Sequence, residues 1–166
     1  MKKILATNGL MLLCMLAVAQ YPLQKGANQL NAGFGFSTWG LPVYVGIDHG
    51  IDTDFSIGLE GSYRNYRERW RENRYNHGVF GLAGNCNYHF NHLFEMPSSP
   101  WDLYAGLSVG FYLWTSPNAY EGSHASGLGL SAQAGVRYYF SSKAAINLEA
   151  GGGSFSGGKI GVTIRL

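Results

Sequence analysis

Along most of the chain, hydrophobic residues alternate with small or polar ones. In the C-terminal stretch KIGVTIRL, Ile160, Val162, Ile164 and Leu166 alternate with Lys159, Gly161, Thr163 and Arg165. Successive side chains of a strand point to opposite sides, so a period of two marks a strand whose faces meet unlike surroundings. The same rhythm runs through LNAGFGFS (30–37), PVYVGID (42–48), DFSIGLEGSY (54–63), VFGLAGNCNYHF (79–90), WDLYAGLSVGFYLW (101–114), GLGLSAQAGVRYYF (127–140) and KAAINLEAG (143–151). Eight strands are thereby predicted. Most of these runs last about 9 to 14 residues, longer than the usual 5 or 6 of a globular strand and long enough for a tilted strand to cross hydrocarbon. An even number of antiparallel strands can close on itself and leave no edge.

Which face points out is decided by the polar one. A soluble barrel of the lipocalin type, carrying an apolar ligand in the periplasm, would turn that face to water and fill it with Lys and Glu. Here it is mainly Gly, Ser, Asn and Tyr, and only 13% of all residues are charged against about 25% in soluble domains. Such residues suit a narrow lumen, with the greasy face turned to lipid. The few lumen charges, Glu60, Arg137, Glu149 and Lys159, fall near mid-height and are expected to form one buried ion-pair cluster. Tyr44, Trp101, Tyr104, Tyr112, Trp114 and Tyr139 lie near strand ends and are expected to form interfacial girdles.

The N-terminus reads as an export signal over residues 1–19: Lys2 and Lys3, the apolar run LMLLCMLAVA, and the small-x-small triplet Ala17, Val18, Ala19. Cleavage before Gln20 would leave 20–166 as one barrel domain. Lipidation at Cys14 is disfavoured because the preceding MLL lacks a small residue. Removing two lysines leaves ten basic residues (12 − 2) against ten acidic ones, a formally neutral chain. Cys86 then stands alone, so no internal disulfide is expected. No run of 18 apolar residues follows Ala19, and hence no transmembrane helix is expected.

Signal, strand rhythm and alternating connection lengths together resemble the outer-membrane β-barrel domain family, the small eight-stranded OmpA/OmpX-like barrels of Gram-negative envelopes, over about residues 26–166. The resemblance implies an all-β, eight-stranded antiparallel up-and-down transmembrane barrel in the outer membrane, monomeric, inserted by the outer-membrane assembly machinery and surrounded by lipids including lipopolysaccharide. Members commonly end in an aromatic residue; this chain ends in Leu166.

If the first strand runs outward, the third connection is extracellular, and it coincides with RNYRERWRENRYN (64–76), which holds five of the seven arginines. Alternation continues through it, with Arg67, Arg69 and Arg71 opposite Glu68, Trp70 and Glu72, so an extended hairpin above the membrane is expected. Charge is tolerated there, whereas an arginine facing lipid at mid-membrane costs roughly 2–4 kcal/mol. Arg67, Arg69, Arg71 and Arg74, with Trp70, Tyr66 and Tyr75 at the interface, form a candidate surface for phosphate groups or a surface partner, since guanidinium forks match phosphate oxygens. A neutral exported chain with one short basic segment is not expected to bind nucleic acid.

Catalysis and transport remain as alternatives. His124 and Ser126 form a His-x-Ser pair resembling that of lipid A deacylases, but the family's pair lies nearer the C-terminus and has an orienting carboxylate that no acid between Ser126 and Glu149 supplies here. His89 and His92 have Glu95 nearby but no cysteine, His49 and His77 are isolated, and no phosphate loop or redox motif occurs, so neither metal nor cofactor is expected. A narrow channel along the lumen charges is the other alternative. The principal expectation is a structural or surface-interaction protein acting through its loops.

Overall fold

A computed structural model describes residues 23–96, 98–155 and 157–166. The expected export signal lies outside the described residues. Eight strands follow one another in sequence: β1 (Asn28–Phe36), β2 (Val43–Gly50), β3 (Phe55–Trp70), β4 (Asn73–His89), β5 (Trp101–Thr115), β6 (Gly127–Tyr139), β7 (Ala144–Gly153) and β8 (Gly158–Arg165). Each pairs antiparallel with its neighbours in the chain, and β1 also pairs with β8, from Gln29 opposite Arg165 to Phe36 opposite Gly158. The sheet is therefore a closed up-and-down barrel without an edge.

The outward parity is apolar and open. Leu128, Leu130 and Leu107 are 78%, 71% and 68% exposed, and Val45, Leu59, Phe111, Ile146 and Val162 continue the belt. Hydrocarbon is the solvent in which such a belt is stable. A soluble carrier would have its apolar face inside, and this interior is polar instead: Gln29, Asp48, Ser56, Asp102, Arg137, Asn147 and Thr163 are all buried.

The barrel has two unlike ends. At one end β2 and β3 are joined through 51–54, β6 and β7 through 140–143, and β4 and β5 through 90–100. The last of these, long for its end, is organised by buried Asn91, whose amide Nδ2 donates to the Trp101 carbonyl (2.5 Å) while its Oδ1 accepts from the Leu103 N–H (3.0 Å). At the other end lie the connections 37–42, 116–126 and 154–157, and the β3–β4 hairpin turns at Arg71 and Glu72. The hairpin strands are 16 and 17 residues long against 8 or 9 for β1, β2 and β8. Beyond Tyr63, the last partner of β2, and Gly78, the last partner of β5, the two strands pair only with each other. The arginine stretch is thus an extended hairpin that rises clear of the barrel wall.

Parity corrects the expected girdles. Tyr44, Tyr104 and Tyr139 are buried inside, while Tyr112 and Trp114 turn toward Trp39 in the mouth. Of the six aromatics assigned to girdles, only Trp101 faces outward, against Tyr138. Nearness to a strand end does not override the two-residue period: each of the five shares parity with the polar set. Room for them comes from glycine; a Cβ at Gly135 would collide with the Tyr104 ring.

Candidate functional site

The interior is stacked in layers. In the layer nearest the short turns, Arg137 Nη2 lies 2.9 Å from Asp48 Oδ2 and its Nη1 3.2 Å from Asp102 Oδ2, with the guanidinium 4.2 Å above the Tyr104 ring. Gln29 and Asn31 donate to Asp48 (3.0 and 2.9 Å). In the next layer, Lys159 Nζ lies 2.8 Å from Glu60 and 3.2 Å from Glu149. The Tyr104 hydroxyl donates to Glu149 (3.1 Å) and joins the two. The four charges expected as one cluster are therefore divided. Arg137 belongs to a separate site completed by Asp48 and Asp102, because its strand position lies closer to the turn end than those of Glu149 and Lys159.

A Ser-His-Asp arrangement also occurs in the lower layer: Ser56 Oγ is 2.9 Å from His89 Nε2, and His89 Nδ1 is 2.7 Å from Asp102. All three side chains are buried to 1% exposure or less, and Asp102 is shared with Arg137. A nucleophile sealed in this way cannot reach an acyl group, so the arrangement serves as buried hydrogen bonding. A cavity of about 30 Å³ runs beside both layers, from Asp48 and Arg137 past Glu149 and Lys159 to Ser131 and Phe155. It has room for a few water molecules.

Above this, Arg64 turns inward instead of joining the surface arginines, donating to Ser37 Oγ (2.9 Å) and the Ser154 carbonyl (3.2 Å). Phe155 is buried beside it at the loop end; a Cβ at Gly129 would press on its ring.

The mouth is built from the inward parity of the hairpin and from 116–126. Glu68 Oε2 lies 2.8 Å from His124 Nε2 and accepts from the Tyr120 hydroxyl (2.9 Å). His77 is fully buried, with Nδ1 2.9 Å from Ser116 Oγ and Nε2 3.6 Å from Glu68. The His124 ring is stacked on Trp114 (4.3 Å, 9° between planes) and Tyr66 meets Trp114 edge-on (5.7 Å). The hydrogen bond from His124, followed by that from Tyr120, holds the Glu68 carboxyl below its usual range. Burial, then the neighbouring His124, pushes the His77 imidazole down.

His124 and Ser126, a pair in sequence, turn to different partners: Ser126 Oγ accepts from the Trp114 N–H (2.9 Å) while His124 meets Glu68. His124 thus has the carboxylate that its sequence neighbourhood lacks, but no contact with the serine. Ser116 does contact His77, yet the 3.6 Å from His77 to Glu68 is too long for an orienting hydrogen bond. Tyr66, Trp70 and Tyr75 also differ from expectation. They pack inward, Trp70 and Tyr75 against Tyr120 (5.8 and 5.1 Å), because they share parity with Ser62 and Arg64.

The outward parity of the hairpin carries Arg67, Arg69 and Arg74. Arg69 is directly opposite Arg74 across the ladder, and Arg67 opposite Asn76. Below them the wall becomes apolar at Tyr63, Phe80 and Leu82. Arg71 occupies the turn with φ 55° and pairs with Glu121 of 116–126. Among the described residues no carboxylate pairs with Arg67, Arg69 or Arg74.

No protein-family model and no curated protein matches the chain in sequence. Solved structures are similar in shape. The outer membrane protein OprG of Pseudomonas aeruginosa superposes with a TM-score of 0.66 at 11% identity, over 86% of this chain and 97% of that one. The N-terminal β-barrel domain of OprF from the same organism gives 0.59 at 18% identity, over 86% and 98%. Ail, the attachment invasion locus protein of Yersinia pestis, in complex with the heparin analogue sucrose octasulfate, gives 0.50 at 12% identity, over 86% and 96%. With its closed ladder and outward apolar belt, the chain has the fold of the small eight-stranded barrels of bacterial outer membranes.

Proposed function

We propose that the protein is an integral outer-membrane barrel with a structural and surface-interaction role, in which the outward arginine face of the hairpin engages phosphate groups of the surrounding leaflet, lipopolysaccharide being the nearest source. The observation that carries this reading is the register of Arg69 against Arg74. Like charges directly opposite each other destabilise a ladder, and an anion between them reverses the sign. The arginines continue the outward face of the hairpin two and three positions beyond Tyr63 and Phe80, where the polar part of an outer leaflet would surround it. The fold neighbour Ail binds a sulfated saccharide analogue, which is the same chemistry on a similar scaffold. Export, and placement of the hairpin outside the cell, belong to the same proposal.

Calorimetric titration of the folded barrel with lipopolysaccharide in mixed micelles, and separately with sucrose octasulfate, tests it and distinguishes a lipid source from a free polyanion. Changing Arg67, Arg69 and Arg74 to Ser is expected to weaken binding at least about tenfold and flatten its salt dependence, with the unboiled gel mobility unchanged. Equal binding by this variant would refute the reading.

A further inference from the structure

Anion binding uses the outward face of the hairpin; the inward face carries a second cluster that it leaves unused. One ligand atom from each of Glu68, His77 and His124 lies within 4.8 Å of the other two. We propose that these three side chains bind a divalent transition-metal ion of the zinc class, which ties the connection 116–126 to the β3–β4 hairpin.

Two imidazoles and a carboxylate are a ligand set suited to zinc and its neighbours, whereas magnesium and calcium take oxygen ligands. His77 supplies an independent observation. It is fully buried, its Nε2 has no hydrogen-bond partner, and that atom faces Glu68 at 3.6 Å. Its Nδ1 is engaged with Ser116 Oγ at 2.9 Å. With Nδ1–H donating to the serine oxygen, the lone pair on Nε2 points into the cluster, the arrangement by which an outer partner fixes a metal-binding histidine. His124 is held in rotation between Trp114 and Tyr120, nearly parallel to both (9° and 5°). In a tetrahedral shell with bonds of about 2.0–2.1 Å, ligand atoms stand about 3.3 Å apart. The Glu68–His77 separation already approaches that value, and the 2.8 Å contact between Glu68 and His124 has to open by about 0.5 Å. The Tyr120 hydroxyl, 3.2 Å from His124 Nε2, borders the remaining position, which a water molecule can fill.

The ligands come from three places in the chain: Glu68 from β3, His77 from β4 and His124 from 116–126. Without the ion, the connection is held to the hairpin by the exposed Arg71–Glu121 pair, by the contacts of Tyr120 and His124 with Glu68, by Ser116 on His77 and by the packing of Tyr120 on Trp70 and Tyr75. The ion would add bonds that water does not displace.

The test uses the barrel without a polyhistidine tag, folded in detergent and titrated with Zn²⁺ by calorimetry and with Co²⁺ by visible absorption. One ion per barrel is expected, with the strong absorption of four-coordinate cobalt. His124→Ala and Glu68→Gln, both in the protruding mouth, should each weaken binding at least about tenfold while unboiled gel mobility is kept. They keep the test decisive should His77→Ala fail to fold. His49→Ala combined with His92→Ala should leave the affinity unchanged, and Zn²⁺ should slow trypsin cleavage at Arg71 and Arg74. A barrel with no saturable site, or one whose affinity is unmoved by His124→Ala, would overturn the assignment.

Discussion

Arg137 shows how far a residue can be read from its position alone. Parity places it inside the barrel, and burial then demands partners for a guanidinium. Those partners, Asp48 and Asp102, are 89 and 35 residues away, brought together by register. The sequence gives no sign of which acid will stand beside it, and height along the strand is a poor guide when neighbouring strands are staggered by the tilt of a barrel. The consequence is testable. Removing one partner from a buried ionic site leaves the others uncompensated, typically at about 3–5 kcal/mol. Arg137→Met is therefore expected to lower unfolding stability by several kcal/mol in denaturant titrations monitored by gel mobility. Adding Asp48→Asn and Asp102→Asn should recover a substantial part of the loss, because neutral amides replace two stranded carboxylates. A triple variant no more stable than Arg137→Met would show that the site's stability does not come from charge compensation.

At the scale of the element, the hairpin was legible in the alternation that crosses from the apolar wall into the arginine stretch without breaking. Its two faces were harder to read. Arg67 and Arg69 turn out, as their period dictates, but Arg64 also belongs to the stretch and turns in, and Tyr66 and Trp70 join it instead of resting at the membrane surface. Their inward packing depends on Tyr120 and His124 from a connection about 50 residues later, which no local pattern announces. The turn carries its own prediction. Arg71 holds φ 55°, a conformation costing a non-glycine residue about 1–2 kcal/mol, while its exposed pair with Glu121 contributes about 0–1 kcal/mol. Arg71→Gly should therefore leave the hairpin as stable as before or more so, measured by amide exchange at Trp70 and Asn73. Faster exchange at both would mean that the contact with Glu121 outweighs the backbone strain.

For the whole molecule, the question is whether a closed barrel conducts. Eight strands enclose a space about wide enough for their own side chains, and here those side chains fill most of it. At the turn end, Gln29, Asp48, His89, Asp102 and Arg137 are nearly all inaccessible; above them Glu60, Glu149 and Lys159 close a second layer; Arg64 and Phe155 sit above both. The cavity of about 30 Å³ that runs beside these layers does not extend past buried Gln29, His89 and Asp102 at the turn end. An ion crossing would have to break two ion-paired layers in succession and shed most of its hydration in a space of a few water molecules. The protein in planar bilayers is accordingly expected to show no conductance steps. Phe155→Ala should show none either, even though it opens the loop end, because both charged layers beneath remain. Steps in Phe155→Ala alone would identify that ring as the only barrier and the ionic layers as permeable, restoring the channel reading; steps in the unaltered protein would mean that the layers open spontaneously in the bilayer.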